Sequence, residues 1–251
     1  MPSQRYDAID ALRGLALVWM TVFHFCFDLN HFGYIRQDFY RDAFWTSQRT
    51  VILSTFLFCA GMGQAIALQQ GQSWMRFWRR WAQVAGCAVL VSAGSYLMYP
   101  QSFIYFGVLH GIALMLLVLR LTAPWGNWLW LLGGLAMAAG LVAAPVLGRS
   151  GWADLFDSTW LNWLGLITHK PITEDYVPVF PWLGLMWWGG AAGNWLRRHG
   201  QVLAWRPSLV GKALAALGRW SLSYYMLHQP VMIGALMLLR YSTLALERSS
   251  S

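Results

Sequence analysis

Long apolar runs separated by short polar segments dominate the chain. Seven of them are long enough to predict membrane-crossing helices, because about 20 apolar residues span a hydrocarbon core about 30 Å thick. They run from Ala11 to Phe27, Val51 to Leu68, Trp81 to Leu97, Phe103 to Leu119, Trp128 to Leu147, Val179 to Leu196, and Trp220 to Leu239. The short connections predict one integral-membrane domain over residues 1–251, an all-α polytopic bundle. The third and fourth runs are separated by only a few residues around Pro100, which predicts an antiparallel hairpin. Arg13 interrupts the start of the first run and no small-residue cleavage site follows it, so the run reads as a span, not a cleaved signal.

Composition agrees with the pattern. The chain is 57% hydrophobic and 11% charged, with 17 Trp; a soluble domain carries about 25% charged residues. The net charge of +8 would suit nucleic acid, but its distribution argues against that partner. With the N-terminus in the cytoplasm, eleven of the 18 Lys and Arg fall on the inner side and seven on the outer, while eight of the ten acids face outward. The excess of inner cations predicts a cytoplasmic N-terminus and an outer C-terminus, and it would attract anionic membrane lipids. Cys26, Cys59 and Cys87 all lie in apolar runs, without metal-ligand spacing or a disulfide framework.

Ionisable groups inside the runs are costly and ask for a chemical reason. His24 and Asp28 are four apart and share one helix face. A carboxylate one turn away can hold an imidazole nitrogen and stabilise the cation formed when the other nitrogen takes a proton. Counting about 1.5 Å per residue from Arg13 puts His24 roughly 17 Å into the membrane, just past its midplane. His31 extends the same face if the helix continues. His228, roughly 15 Å from the inner end of its helix, sits at similar depth, and His110 lies in the fourth run. Each of these two histidines alone also reads as a packing residue. Pro230 frees a backbone carbonyl one turn earlier, which Gln229 or a serine could satisfy. No compact motif supports a metal. His169 and His199 fall in loops.

Two outer segments, about Leu29 to Arg49 and Gly148 to Pro178, mix charge with aromatic residues: Tyr34, Phe39, Tyr40 and Trp45 in one, Trp152, Trp160 and Trp163 in the other. Such faces suit sugar rings and a membrane-interface belt equally. On the inner side, Trp74 to Trp81 interleaves Arg76, Arg79 and Arg80 with aromatic residues. This reads as a snorkelling helix start or as a phosphate site, since Arg binds phosphate bidentately. Arg13, three residues after Asp10, reads as an i,i+3 ion pair or as a phosphate ligand at the cytoplasmic mouth. There is no internal repeat, no Walker loop, and no inverted pair of broken helices of the transporter kind.

Ile9 to Ala16, followed by Phe23-His24-Phe25, resembles the first-helix signature of transmembrane acyltransferases. Phe106 to Leu114 resembles a "GVLxRIAL" element, with Gly111 standing where that element has its Arg. Pro181-Trp182-Leu183-Gly184 is similar to a "PWxG" turn. Leu217 to Leu222, continuing through Tyr225, His228 and Pro230, resembles a closing "LGxxSLxxYxxHxP" helix. Together these resemble the catalytic-domain family of heparan-α-glucosaminide N-acetyltransferase in its short bacterial form. The resemblance implies acetyl transfer from acetyl-CoA to a sugar or glycan acceptor across the membrane, with a histidine near the outer end of the first helix, where both His24 and His31 lie.

The expectation is therefore a multi-pass acyltransferase of the bacterial inner membrane. His24, oriented by Asp28, and His228 are its expected catalytic residues. Arg13, Arg76, Arg79, Arg80, Arg219 and His110 are expected to hold acetyl-CoA, and His31, Tyr225 and Ser221 to contact substrate. Two rival readings use the same residues: a proton-coupled transporter or flippase, and a non-catalytic membrane subunit. The acceptor, the acyl group and whether the protein forms a homo-oligomer stay open at this level.

Overall fold

The computed structural model describes residues 6–198 and 207–250, with side chains for all of these except 197–198 and 243–250. His199, expected in a loop, and Arg5 and Arg206 of the charge count lie outside the described residues. The described chain is helical and contains no strand, only an isolated parallel bridge between Phe106 and Tyr176. Its α-helices are α1 (Asp7–His31), α2 (Ala43–Gln69), α3 (Trp74–Met98), α4 (Val108–Thr122), α5 (Trp128–Ser150), α6 (Ala153–Asp157), α7 (Trp182–Arg198), α8 (Leu209–Arg219) and α9 (Ser221–Ser250).

Among the described residues, six segments are long and apolar enough to cross a membrane: α1, α2, α3, residues 108–125, α5, and residues 221–242 of α9. The remaining expected span is α7. Its 17 residues measure about 26 Å, less than a hydrocarbon core of about 30 Å. The first span is longer than expected and carries His31 on its last turn. The fourth begins at Val108 instead of Phe103, because the residues before it are bonded elsewhere. Glu174 N–H donates to Ser102 O at 2.9 Å and Val177 N–H to Phe106 O at 3.1 Å. The connection between α3 and α4 is accordingly longer than a tight turn.

The chain divides into two compact units, one made of Met1–Tyr6 and Ser54–Arg206, the other of Asp7–Leu53 and Pro207–Ser251. In the first, small residues let backbones meet, as membrane helices require where no hydrophobic force drives association. A Cβ on Gly61 would overlap the Met186 carbonyl, and one on Gly189 the Phe58 carbonyl, so α2 and α7 touch backbone to backbone. Indole N–H groups tie neighbouring helices together: Trp81 to Ala113 O at 2.8 Å, Trp187 to Thr122 Oγ1 at 2.9 Å, and Trp188 to Trp130 O at 2.9 Å. The "PWxG" turn enters α7 through a cis Phe180–Pro181 bond.

In the second unit, α8 runs antiparallel to α1. Cβ atoms on Gly14 and Gly218 would overlap the backbones of Leu214 and Asp10 respectively. The chain then turns at Trp220, and α9 runs parallel to α1, meeting it through Thr21 and Tyr224, then His24 and His228, then Asp28 and Gln229. The aromatic residues expected in the outer loop separate into two groups. Phe39 is 3% exposed and packs edge-on to Phe23 and Phe27 and stacked on Trp45. Tyr34 and Tyr40 are exposed.

Candidate active site

The α1–α9 seam gathers the polar groups. Thr21 on α1 donates its hydroxyl to Leu17 O at 2.8 Å, so its oxygen accepts from the Tyr224 hydroxyl at 2.7 Å. Tyr224, thus fixed, stacks on His228 with rings 6.0 Å apart and 8° from parallel, the i,i+4 spacing of one helix face. The His228 ring lies 5.7 Å from that of Tyr225. Its Nδ1 is 2.7 Å from the Tyr225 backbone oxygen. A carbonyl can only accept, so Nδ1 carries the proton and, in the neutral ring, Nε2 is an acceptor. That Nε2 is buried and has no hydrogen-bond partner. The His24 ring sits 5.3 Å from His228 at 61° and edge-on to Phe23.

Asp28 is 3% exposed, one turn above His24. It does not hold His24 as expected. Its Oδ1 accepts from Gln229 Nε2 at 2.7 Å, and its Oδ2 is buried without a partner. Residue 28 on α1 is level with residue 229 on the parallel α9, and the carboxylate follows the amide across the seam. Gln229 therefore does not serve the carbonyl freed by Pro230. Unbonded buried polar groups are rare in folded proteins and call for an explanation. Here three acceptors, His228 Nε2, Asp28 Oδ2 and Gln229 Oε1, share that state.

The other expected residues of the second unit lie apart from this cluster. His31 is exposed at the end of α1, against Phe32. Ser221 is half-buried on the first turn of α9, about 10 Å below His228 along the helix. Arg13 pairs with Asp10 at 3.2 Å, and Arg219 with Asp7 at 3.4 Å. Both pairs stand at the start of α1, with Asp10 and Asp7 roughly 21 and 26 Å along the helix from His24.

His110, Arg76, Arg79 and Arg80 belong to the first unit. His110 is committed to the fold. Its Nδ1 accepts from Gly107 N–H at 3.3 Å, which leaves Nε2–H to donate to Ser92 Oγ at 3.1 Å. Ser92 in turn donates to Ile104 O at 2.6 Å. Both ring nitrogens are used in fastening the start of α4, so the geometry does not support a cofactor role. Arg76 donates to Gly71 O at 2.9 Å, and Arg79 and Arg80 are exposed. The aromatic members of that segment hold Arg120, one of the eleven cations assigned to the inner side. Its guanidinium is buried, donates to Gln72 Oε1 at 3.0 Å and Gln72 O at 2.7 Å, and lies 4.6 Å from the Trp74 ring centre and 5.2 Å from that of Phe77.

Sequence reasoning left Thr21, Tyr224 and Gln229 without a role in chemistry. Tyr224 carried a signal in its i,i+4 relation to His228; Thr21 and Gln229 carried none until the register of α1 on α9 is known. No group of three or more His, Cys, Asp or Glu among the described residues is placed to hold a metal ion. The sequence profile of the heparan-alpha-glucosaminide N-acetyltransferase catalytic family matches residues 5–230. No curated protein and no solved structure matches the chain.

Proposed function

Because the chain belongs to the heparan-alpha-glucosaminide N-acetyltransferase catalytic family, a family of membrane acetyltransferases, we propose that it moves an acetyl group from acetyl-CoA to an amine or hydroxyl of a sugar or glycan acceptor. The observation that carries this reading is the state of His228. A backbone carbonyl fixes its tautomer, and Nε2 is left as a buried, unpartnered acceptor beside His24. The arrangement has the logic of a catalytic histidine oriented by an acceptor on its far nitrogen, with a carbonyl in the place of a carboxylate.

In the proposed reaction, His228 Nε2 takes the proton of the acceptor nucleophile as that atom attacks the thioester carbonyl carbon. The tetrahedral oxyanion collapses, the C–S bond breaks, and the imidazolium returns its proton to the departing CoA thiolate. His24 supplies a second imidazole against the same centre, to donate to the oxyanion or relay the proton. General-base catalysis of this kind contributes about 10²–10⁴-fold. Arg13 and Arg219, which pair with Asp10 and Asp7 near the start of α1, are the proposed contacts for CoA phosphates, because a guanidinium binds phosphate bidentately. The proposed setting is the bacterial inner membrane, N-terminus in the cytoplasm, with the acceptor outside.

The test is direct. Detergent-purified protein is incubated with [14C]acetyl-CoA and D-glucosamine as a simple amino-sugar probe, and label is followed among acetyl-CoA, free acetate and N-acetylated sugar. The expected result is label on the sugar. Sugar uptake into proteoliposomes driven by a proton gradient, without acetyl-CoA consumption, would instead identify a transporter.

A further inference from the structure

Gln229 occupies a position that the closing-helix motif leaves unspecified, between His228 and Pro230. Its amide is nonetheless the partner that the described residues give to Asp28, donating through Nε2 at 2.7 Å to Oδ1. The orientation of that amide follows from chemistry. A carboxylate oxygen accepts, so the NH₂ end must face it and the carbonyl end must turn away. The consequence is that Oε1 of Gln229 and Oδ2 of Asp28 are both buried and both unbonded. Two acceptors without a donor, on adjoining groups one residue from His228, suit a ligand that brings N–H or O–H bonds.

We infer that Gln229 is a positioning residue: it pins one oxygen of the Asp28 carboxylate so that the other is presented to the hydrogen-donating group of the acyl acceptor. This deepens the acetyl-transfer reading and rests on it. An amide does this where a lysine would not, because it orients the carboxylate without neutralising it. The carboxylate must also come from α1. Asp28 and His24 share a face of that helix, so moving the charge to α9 changes its position relative to the histidine pair, even if the hydrogen bond survives.

The experiment uses the full chain in detergent as wild type, Gln229→Leu, Asp28→Asn, and the exchanged pair Asp28→Asn with Gln229→Glu. The exchanged pair restores an amide–carboxylate bond with the charge on the other helix, so it controls for folding. Two readouts are taken: the infrared carboxyl bands, with the Asp28 band identified by its loss in Asp28→Asn, and turnover of [14C]acetyl-CoA with D-glucosamine. The inference expects the Asp28 band to shift in Gln229→Leu and kcat to fall at least tenfold with KM for acetyl-CoA unchanged. It expects the exchanged pair to match wild-type thermal stability while kcat stays tenfold or more below wild type. An unshifted band in Gln229→Leu, or full turnover in the exchanged pair, overturns it. If wild type consumes no acetyl-CoA while the band still shifts, the clamp stands and the acetyl-transfer reading is the part that fails.

Discussion

At the residue scale, the site is a set of hydrogen bonds that each fix the next group. Leu17 O accepts the hydrogen bond of the Thr21 hydroxyl, Thr21 accepts that of Tyr224, and Tyr224 lies flat on His228. Tyr224→Phe removes one link while keeping the stacked ring. Loss of a single neutral hydrogen bond costs about 1 kcal/mol, so a melting curve should show a drop of only a few degrees. Activity should fall less than tenfold, because Nδ1 remains held by the Tyr225 carbonyl. Gly111 shows why this chain departs from the resembled "GVLxRIAL" element. A Cβ there would sit 2.7 Å from the Val177 carbonyl oxygen and 3.1 Å from Met115 Cε, so the backbone at Val177 leaves no room for an arginine. Gly111→Arg should therefore cost at least about 1–3 kcal/mol, the range of overpacked sites, read as loss of monodisperse protein on heating.

At the element scale, the pairing of α1 with α8 and α9 decides which groups meet. Small residues at Gly14 and Gly218 let α8 lie directly on the first turns of α1, and the turn at Trp220 then sends α9 up the same helix. Gly218→Leu should misplace α9 and lower activity together with stability, whereas an exposed change on α8 such as Lys212→Ala should alter neither; parallel melts and assays of the two variants check this. In the first unit, α4 starts where it does because Asp175 Oδ2 accepts from Val108 N–H at 2.8 Å. A carboxylate at a helix N-terminus contributes about 1 kcal/mol, so Asp175→Ala should loosen the first turn of α4, seen as faster amide exchange at residues 108–111.

The long apolar helices were legible in the sequence, because hydrocarbon length sets the length of each apolar run, whereas α6 and α8 lie between those runs and were not. The candidate site was legible only in part. His24, Asp28 and His228 announced themselves as ionisable groups in apolar runs, but which nitrogen meets which oxygen depends on the register between α1 and α9. No periodicity encodes that register. The same gap explains His110. Its motif neighbours suggested a site, while its two nitrogens are spent on Gly107 and Ser92, the latter 18 residues earlier on another helix.

At the scale of the whole molecule, the protein is a multi-pass membrane protein whose polar groups outside the spans are also organised. Asp157, in the segment between α5 and α7, receives Thr168 N–H at 2.7 Å and further bonds from the Thr168 hydroxyl and His169. Burial works to raise its carboxyl, but those donors outweigh it and hold the group below the ordinary carboxylate range. A depressed carboxylate adds stability that is complete above its unfolded value of about 3.9 and lost as pH falls through the folded one. Limited proteolysis between α5 and α7 should therefore speed up on acidification below about pH 4. Asp157→Asn should be cut faster already at pH 7 and change little with acid.

The central claim is that an imidazole on α9, its tautomer set by a backbone carbonyl, takes the proton of the acyl acceptor. Single-turnover transfer of label from [14C]acetyl-CoA by His228→Ala, compared with wild type at equal acetyl-CoA occupancy, tests it most directly. The account predicts a rate at least about 100-fold lower with donor binding retained. A His228→Ala protein that transfers acetyl groups at the wild-type rate would contradict it.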